Sequence, residues 1–173
     1  FWNGPNWEKY KGAYFEYYPN VWRHGDYVVF HSDTKGITFY GRSDAVLKPS
    51  GVRIGTAEIY NVVERIEGIA DSLAIGQNWE GEQRIILFVK LTPGASLTED
   101  LKNTVKKTLR EKASPRHVPS IIMEMPDAPY TMNMKKVESA VTNIIHGRPV
   151  LNRDALSNPQ VLDYFEKIVP ELQ

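Results

Sequence analysis

The sequence predicts an α+β fold in which a three-stranded antiparallel sheet is flanked by helices. Three runs of β-prone, mainly apolar residues predict the strands, at residues 71–77, 83–91 and 120–125. Apolar residues spaced three or four positions apart predict helices between and around these strands. Of the 173 residues, 42 % are hydrophobic, which is ample for a packed core.

The first 21 residues are crowded with aromatic side chains that follow no clear period. Asn, Gly and Pro interrupt them, and so much exposed aromatic surface predicts packing against a further part of the protein rather than stacking on a ligand. The aromatic residues include Trp2, Trp7, Tyr10, Tyr14, Phe15, Tyr17 and Tyr18.

A β-hairpin is predicted next, with strands at residues 27–30 and 37–40. Antiparallel pairing places Asp26 and Arg42 side by side at the open end of this hairpin. Such a pair is either a surface salt bridge, worth about 0–1 kcal/mol, or a ribose site. In a ribose site the carboxylate accepts hydrogen bonds from the two sugar hydroxyls and the guanidinium donates to the same sugar. The residues alone favour the salt bridge.

A charged, turn-rich joint at residues 41–59 connects the hairpin to the α+β part. It predicts a second short hairpin, with strands at 45–48 and 52–54 around a Pro-Ser-Gly turn. A helix over 57–67 follows, and Thr56 is placed to cap its N-terminus.

Further helices are predicted at residues 96–112, 136–145 and 158–169. Ser96 opens the first of them as part of a capping box. A basic row lies beside its core positions, with one residue per turn. The row is either a solvated face, which the residues alone favour, or an electrostatic site for phosphate groups. It consists of Lys102, Lys106 and Arg110.

Lys135 is the strongest candidate for chemistry. It lies where a proline-bounded loop meets the start of helix 136–145. A cation is poorly placed at that end of the helix dipole, which indicates an external partner. Taken alone, however, a lysine beside another lysine on a loop is ordinary surface.

The composition excludes several kinds of partner and site. The 21 basic and 21 acidic residues balance, so no net field favours nucleic acid or an anionic membrane. No segment approaches the roughly 18 apolar residues of a membrane span. There is no cysteine, and the 4 histidines lack metal-ligand spacing, so no metal site is predicted. A start without Met or an apolar leader suits part of a longer, cytoplasmic protein.

Three motifs, taken in order along the chain, resemble those of the adenylate-forming acyl-CoA synthetases. The WRHGD that ends at Asp26 is similar to their ribose-binding motif, and the GRSD that ends at Asp44, with GVRI and AEI after it, is similar to their hinge motif. PYTMNMKKV is similar to their lysine motif P-x-T-x-S-G-K. Within the family, the wording of WRHGD, SPRHVP, PYTMNMKKVE, HGRPV and SNPQVLDYF is most similar to members that activate acetoacetate.

The resemblance implies the C-terminal part of an acid–CoA ligase. Residues 1–43 would end a large N-terminal adenylation body, and residues 44–173 would form a small mobile domain that rotates about Asp44. The implied reaction converts acetoacetate and ATP, with Mg²⁺, to an acyl-adenylate and pyrophosphate. The thiol of coenzyme A then takes the acyl group and AMP leaves. This chain alone, without the rest of the N-terminal body, is expected to be inactive.

The resemblance also implies roles for individual residues. Asp26 and Arg42 would bind the AMP ribose, and Arg53 would approach the nucleotide's phosphate. Gly51 would line the tunnel for the pantetheine arm of coenzyme A. Lys135 would be the catalytic lysine of adenylation, in contact with the attacking carboxylate and the α-phosphate. A residue near the basic row would bind the 3′-phosphate of coenzyme A, but the motif does not fix which one.

The sequence departs from the lysine motif at two positions. Asn133 and Met134 stand where the family has Ser and Gly. Gly there serves a positive φ, so Met134 either takes that backbone at a steric cost or avoids it, and a differently shaped or mobile loop is expected. Two alternative functions stay open: a sibling enzyme for another acid, such as acetate or an aryl acid, and a non-catalytic nucleotide-binding module.

Overall fold

The computed structural model describes residues 7–151 and 153–173. The helices and strands, in chain order, are α1 (Glu8–Tyr14), β1 (Asp26–Phe30), β2 (Ile37–Arg42), α2 (Thr56–Val63), β3 (Ile69–Trp79), β4 (Glu82–Leu91), α3 (Glu99–Lys112), β5 (Ile121–Glu124), α4 (Glu138–Ile145) and α5 (Leu162–Ile168). Short 3₁₀ turns lie at Pro49–Gly51, Pro115–His117, Arg153–Ala155, Pro159–Val161 and Val169–Leu172.

The larger sheet contains three strands in the order β3–β4–β5, which confirms the α+β class. β3 and β4 form a long antiparallel hairpin, as predicted. β5, however, runs parallel to β4, so the sheet is mixed and the prediction of an antiparallel sheet is wrong. The reason lies in the connection: α3 carries the chain back to the end of the sheet where β4 began, and β5 therefore repeats the direction of β4.

Strand β4 separates two hydrophobic cores because successive side chains of a strand point to opposite faces. Ile86 and Phe88 pack in a core with residues of α4 and α5, where Phe88 meets Phe165 edge to face at 5.1 Å. Ile85 and Leu87 pack in the other core, with residues of α2 and α3. Helices therefore cover both faces of the sheet, and the predicted apolar core faces of α2, α3 and α4 are confirmed.

Two predicted helix caps are wrong. Thr56 is the first residue of α2 rather than its cap, because the Glu58 carboxylate turns back and accepts a hydrogen bond of 2.8 Å from the Gly55 N–H. α3 begins after Thr98 rather than Ser96, and the Thr98 hydroxyl accepts from the N–H of Leu101 at 3.2 Å. Two acidic residues follow Thr98 directly, where the helix dipole favours them.

The predicted second hairpin is reduced to one antiparallel bridge. Leu47 and Ile54 exchange two backbone hydrogen bonds of 2.9 Å around the 3₁₀ turn. The ladder does not extend toward the turn because Pro49, the next residue in position to donate, has no N–H. The N–H of Lys48 points away from this bridge and donates to the Gln83 side chain at 2.5 Å. The tip of the joint is thereby fastened to the β3–β4 turn, where the Ser50 hydroxyl also contacts Glu82 at 3.3 Å.

The N-terminal segment forms the short helix α1 and the separate β1–β2 sheet. Tyr14 stacks on Trp22 with ring centroids 4.1 Å apart, while Trp7, Tyr17 and Tyr18 stay largely exposed. Trp2 lies outside the described residues. The expected packing of this aromatic surface on a further part of the protein stays a prediction. No helix within residues 7–151 and 153–173 has both the length and the apolar character needed to cross a bilayer.

Candidate active site

Asp26 and Arg42 lie directly opposite each other in the β1–β2 register, as predicted. Arg42 Nη1 donates to the Asp26 carboxylate at 3.5 Å and to the carbonyl of His24 at 3.0 Å. Arg42 Nε donates to the Asp44 carboxylate at 3.3 Å, and the His24 ring lies 2.6 Å from the other Asp26 oxygen. The Arg42 guanidinium thus contacts both Asp26, the other candidate ribose ligand, and Asp44, the predicted hinge residue.

Gly25 makes this close approach feasible. Its φ is +86°, and a Cβ at this position would lie 2.7 Å from Arg42 Nη2. The Asp26 and Arg42 side chains remain 20 % and 53 % exposed, so a ligand can reach them. Each oxygen of a carboxylate has two acceptor positions, and one donor on each oxygen leaves room for sugar hydroxyls. The pair therefore fits a ribose diol, and its role as the ribose site stays a prediction.

Lys135 lies at the end of a tight loop over residues 131–135. The Lys135 N–H donates to the Thr131 hydroxyl at 3.1 Å, and the Thr131 N–H donates back to the Lys135 carbonyl at 2.9 Å. Met134 takes a φ of +57° and accepts the steric cost of the left-handed backbone. The Lys135 side chain is exposed, and none of the acidic groups in the described part of the chain pairs with it.

Lys136, the next residue, has the opposite environment. Its side chain is only 17 % exposed. Its ammonium lies 2.6 Å from Asp71 Oδ1, donates to the carbonyl of Ser72 at 2.9 Å and also contacts the Glu64 carboxylate. Three acceptors match the three N–H groups of a lysine, so Lys136 is fully paired where Lys135 is not.

The groups around Lys136 have shifted pKa values. Burial alone would raise the pKa of Asp71, but hydrogen bonds from Lys136 and Tyr130 outweigh it and hold that pKa below its usual value. Burial, and after it the hydrogen bond to Asp71, raises the pKa of Tyr130. Burial raises the pKa of Tyr60 well above its usual value, and repulsion by Glu138 adds to this. Both phenols therefore stay neutral donors beside charged carboxylates.

Gly51 and Arg53 lie in the joint, away from the neighbours of Lys135. Gly51 has a φ of +79° at the tip of the turn, and a Cβ there would meet nothing within 4 Å. A cleft of about 660 Å³ opens beside it, lined among others by Lys48 and Trp79. Arg53 is exposed, and its guanidinium pairs with no side chain among the described residues. The structure brings together Asp26, Arg42 and Asp44, but neither joins them to Lys135 nor shows the assigned roles.

Comparisons with known proteins show what the chain is related to. No protein-family model matches it. It is 52 % identical over 165 residues to an acetoacetyl-coenzyme A synthetase of Rhizobium meliloti, an alignment that covers 95 % of this chain and 25 % of the relative. It is 49 % identical over 174 positions to an acetoacetyl-CoA synthetase of Gallus gallus, with 100 % and 26 % covered.

The structural comparison agrees. The chain superposes on acetoacetyl-CoA synthetase from Streptomyces lividans with a TM-score of 0.90 and 38 % identity, over 100 % of this chain and 26 % of that one. The chain is similar over its whole length to one part of these acetoacetyl-CoA synthetases. It spans about a quarter of the length of the relatives that it matches.

Within the described residues, sequence reasoning missed the cluster around Lys136. Its members come from α2, β3 and the loop before α4, and no spacing in the sequence connects them. The described residues contain no group of three or more His, Cys, Asp or Glu side chains that could hold a metal ion.

Replacing Asp71 with Asn tests the charge in this cluster. A group whose pKa is lowered by folding stabilises the protein above its unfolded pKa, about 3.9, and this stabilisation is lost as the pH falls toward the folded value. We expect the free energy of unfolding, measured by urea denaturation, to fall below about pH 4 more steeply in the wild type than in Asp71→Asn. Asp163→Asn, on the exposed side of α5, should keep the wild-type slope. Equal slopes for Asp71→Asn and the wild type would contradict the assignment.

Proposed function

We propose that the chain is the C-terminal part of an acid–CoA ligase that activates acetoacetate with ATP and transfers the acyl group to coenzyme A. The observation that carries this is the identity of about half of all residues with acetoacetyl-CoA synthetases over the whole chain. ATP, Mg²⁺ and coenzyme A would be used by the complete protein, in the cytoplasm. Because the chain spans about a quarter of its relatives, the complete protein is the proper object of every test of activity.

The proposed division places residues 1–43 in the N-terminal adenylation body and residues 44–173 in a domain that rotates about Asp44. Exposed apolar side chains within residues 1–43 support the packing of this part against the remainder of the N-terminal body. Phe30 and Phe39 on the β1–β2 sheet are 74 % and 61 % exposed, and the aromatic side chains around α1 extend this surface. The remainder of the N-terminal body is the partner that we assign to it.

In the proposed reaction, Asp26 and Arg42 would hold the ribose and orient the nucleotide. Lys135 would place its ammonium against the acid's carboxylate and the α-phosphate, where negative charge accumulates as the acyl-adenylate forms. Its exposure, and the lack of an acidic partner among the described residues, suit a cation that must reach a ligand. Arg53 would approach the phosphate, and Gly51 would leave room for the pantetheine arm.

Acid specificity separates this proposal from its alternatives. We expect the complete protein to catalyse ATP–pyrophosphate exchange with acetoacetate at a rate at least about tenfold above that with acetate or an aryl acid, which corresponds to about 1.4 kcal/mol of discrimination. Preference for another acid would indicate a sibling enzyme. Nucleotide binding without exchange for any acid would indicate a binding module.

Lys135→Ala should suppress adenylation and spare the second step. Without the ammonium we expect ATP–pyrophosphate exchange with acetoacetate to fall about 100- to 1,000-fold, the usual effect of removing a group that stabilises transition-state charge. Thioester formation from supplied acetoacetyl-adenylate and coenzyme A should persist. Lys167→Ala, at an exposed lysine of α5, is the control and should keep both activities. Comparable loss of both half-reactions in Lys135→Ala would refute the assigned role.

Gly51→Leu should have the reverse effect. We expect the added side chain to block thioester formation while ATP–pyrophosphate exchange continues. Gly94→Leu is a matched control for backbone strain, since Gly94 has a φ of +85° and the same open space around its Cβ position. Normal thioester formation in Gly51→Leu would rule out the tunnel, and an equal loss in Gly94→Leu would attribute the effect to strain.

A further inference from the structure

Both ends of the loop that carries Lys135 are attached to one carboxylate. Tyr130 and Lys136 flank the loop and face each other across an antiparallel bridge. The Tyr130 hydroxyl donates to Asp71 Oδ2, and the Lys136 ammonium lies 2.6 Å from Asp71 Oδ1. Each oxygen of Asp71 therefore holds a different end of the loop.

Asp71 itself is held by the sheet. It lies near the start of β3, opposite Lys90 of β4, and its Oδ1 accepts from the N–H of Ser72 at 2.8 Å. The side chain is 14 % exposed. Hydrogen bonds from the Lys136 ammonium, the Tyr130 hydroxyl and the Ser72 N–H hold the pKa of this carboxyl below its usual value, so it stays ionised. The attachment point of the loop therefore lies on β3, which is hydrogen-bonded to β4.

Lys136 has little freedom to exchange these contacts. Its ammonium lies 4.2 Å from the centre of the Tyr60 ring, in addition to the three acceptors already described. The end of the loop at Lys136, directly after Lys135, is therefore held in place. At the other end, the Asn158 side chain accepts from the Tyr130 N–H at 2.9 Å. The loop between the two ends has defined hydrogen bonds and one strained residue, Met134.

We propose that Asp71, acting through Tyr130 and Lys136, is a positioning residue for Lys135. It closes the loop from both sides and so presents the unpaired Lys135 ammonium at one place relative to the sheet. The proposal rests on the adenylation role proposed for Lys135. A merely structural cluster would affect stability and both half-reactions together, whereas a positioning cluster affects the half-reaction that uses Lys135.

We call Asp71, Tyr130 and Lys136 together the clamp. The test uses the full-length protein and two clamp variants, Asp71→Asn and Tyr130→Phe. Tyr130→Phe removes a single hydroxyl and keeps the ring, so it reports even where Asp71→Asn unfolds the domain. We expect kcat of ATP–pyrophosphate exchange to fall about 10- to 100-fold, the scale of loss caused by misplacing a catalytic group by about 1 Å. KM for ATP and thioester formation from supplied acetoacetyl-adenylate should change by less than about threefold.

The control is Tyr164→Phe, which also removes a single hydroxyl and keeps the ring. That hydroxyl donates to the carbonyl of Glu124 in β5 at 2.5 Å and makes no bond to Asp71. Tyr164→Phe should keep wild-type exchange, and its thermal unfolding midpoint is compared with those of the clamp variants to separate loss of stability from loss of exchange. Equal loss of both half-reactions in the clamp variants, or wild-type exchange in both of them, would overturn the proposal.

A double variant separates this proposal from the one on which it rests. Because Asp71 acts only through Lys135, Asp71→Asn should cause no further loss of exchange in the Lys135→Ala background. Losses that multiply would overturn the clamp. Full exchange by Lys135→Ala alone would overturn the role of Lys135 and the clamp with it. Full exchange by both clamp variants, beside an inactive Lys135→Ala, would overturn the clamp only.

Discussion

Strand β4 is the constraint on which the rest of the domain depends. Its edges are hydrogen-bonded to β3 and β5, and helices cover both of its faces, so neither its backbone nor its apolar side chains can face water. Its position fixes β3, whose first residues carry Asp71, and the β3–β4 turn, whose Gln83 holds the joint. The loop of Lys135 and the turn of Gly51 are therefore attached to opposite ends of one hairpin.

The contrast between adjacent lysines follows from desolvation. A half-buried ammonium needs compensating partners, and Lys136 takes the Glu64 and Asp71 carboxylates and a carbonyl group. Those carboxylates are then neutralised locally and are not left to attract Lys135. Lys135 therefore forms no ion pair within the described residues and is available to an anionic ligand.

Periodicity predicted the strands, the inward helix faces and the pairing of Asp26 with Arg42, because these depend on local spacing and hairpin register. The direction of β5 was predicted wrongly, because it depends on the end of the sheet to which α3 returns the chain. The N-caps Thr98 and Gly55 were missed because the nearby Ser96 and Thr56 also have hydroxyl groups that can cap a helix. The Asp71 clamp had no signal in the sequence, because its members meet only in the folded chain. The resemblance to the lysine motif, which has Gly at the position of Met134, indicated the positive φ that Met134 takes.

The contacts of Arg42 in the joint differ in whether they cross the proposed hinge. Arg42 binds Asp26 and the His24 carbonyl within the hairpin, and these bonds are internal to residues before the proposed hinge. The bond from Arg42 to Asp44 crosses it, between side chains that are 53 % and 59 % exposed. An ion pair in water at that exposure contributes about 0–1 kcal/mol. Rotation about Asp44 would therefore break a weak contact and leave the bonds within the hairpin in place, so a ribose at the proposed site of Asp26 and Arg42 would stay bound while the domain beyond the joint changes its orientation.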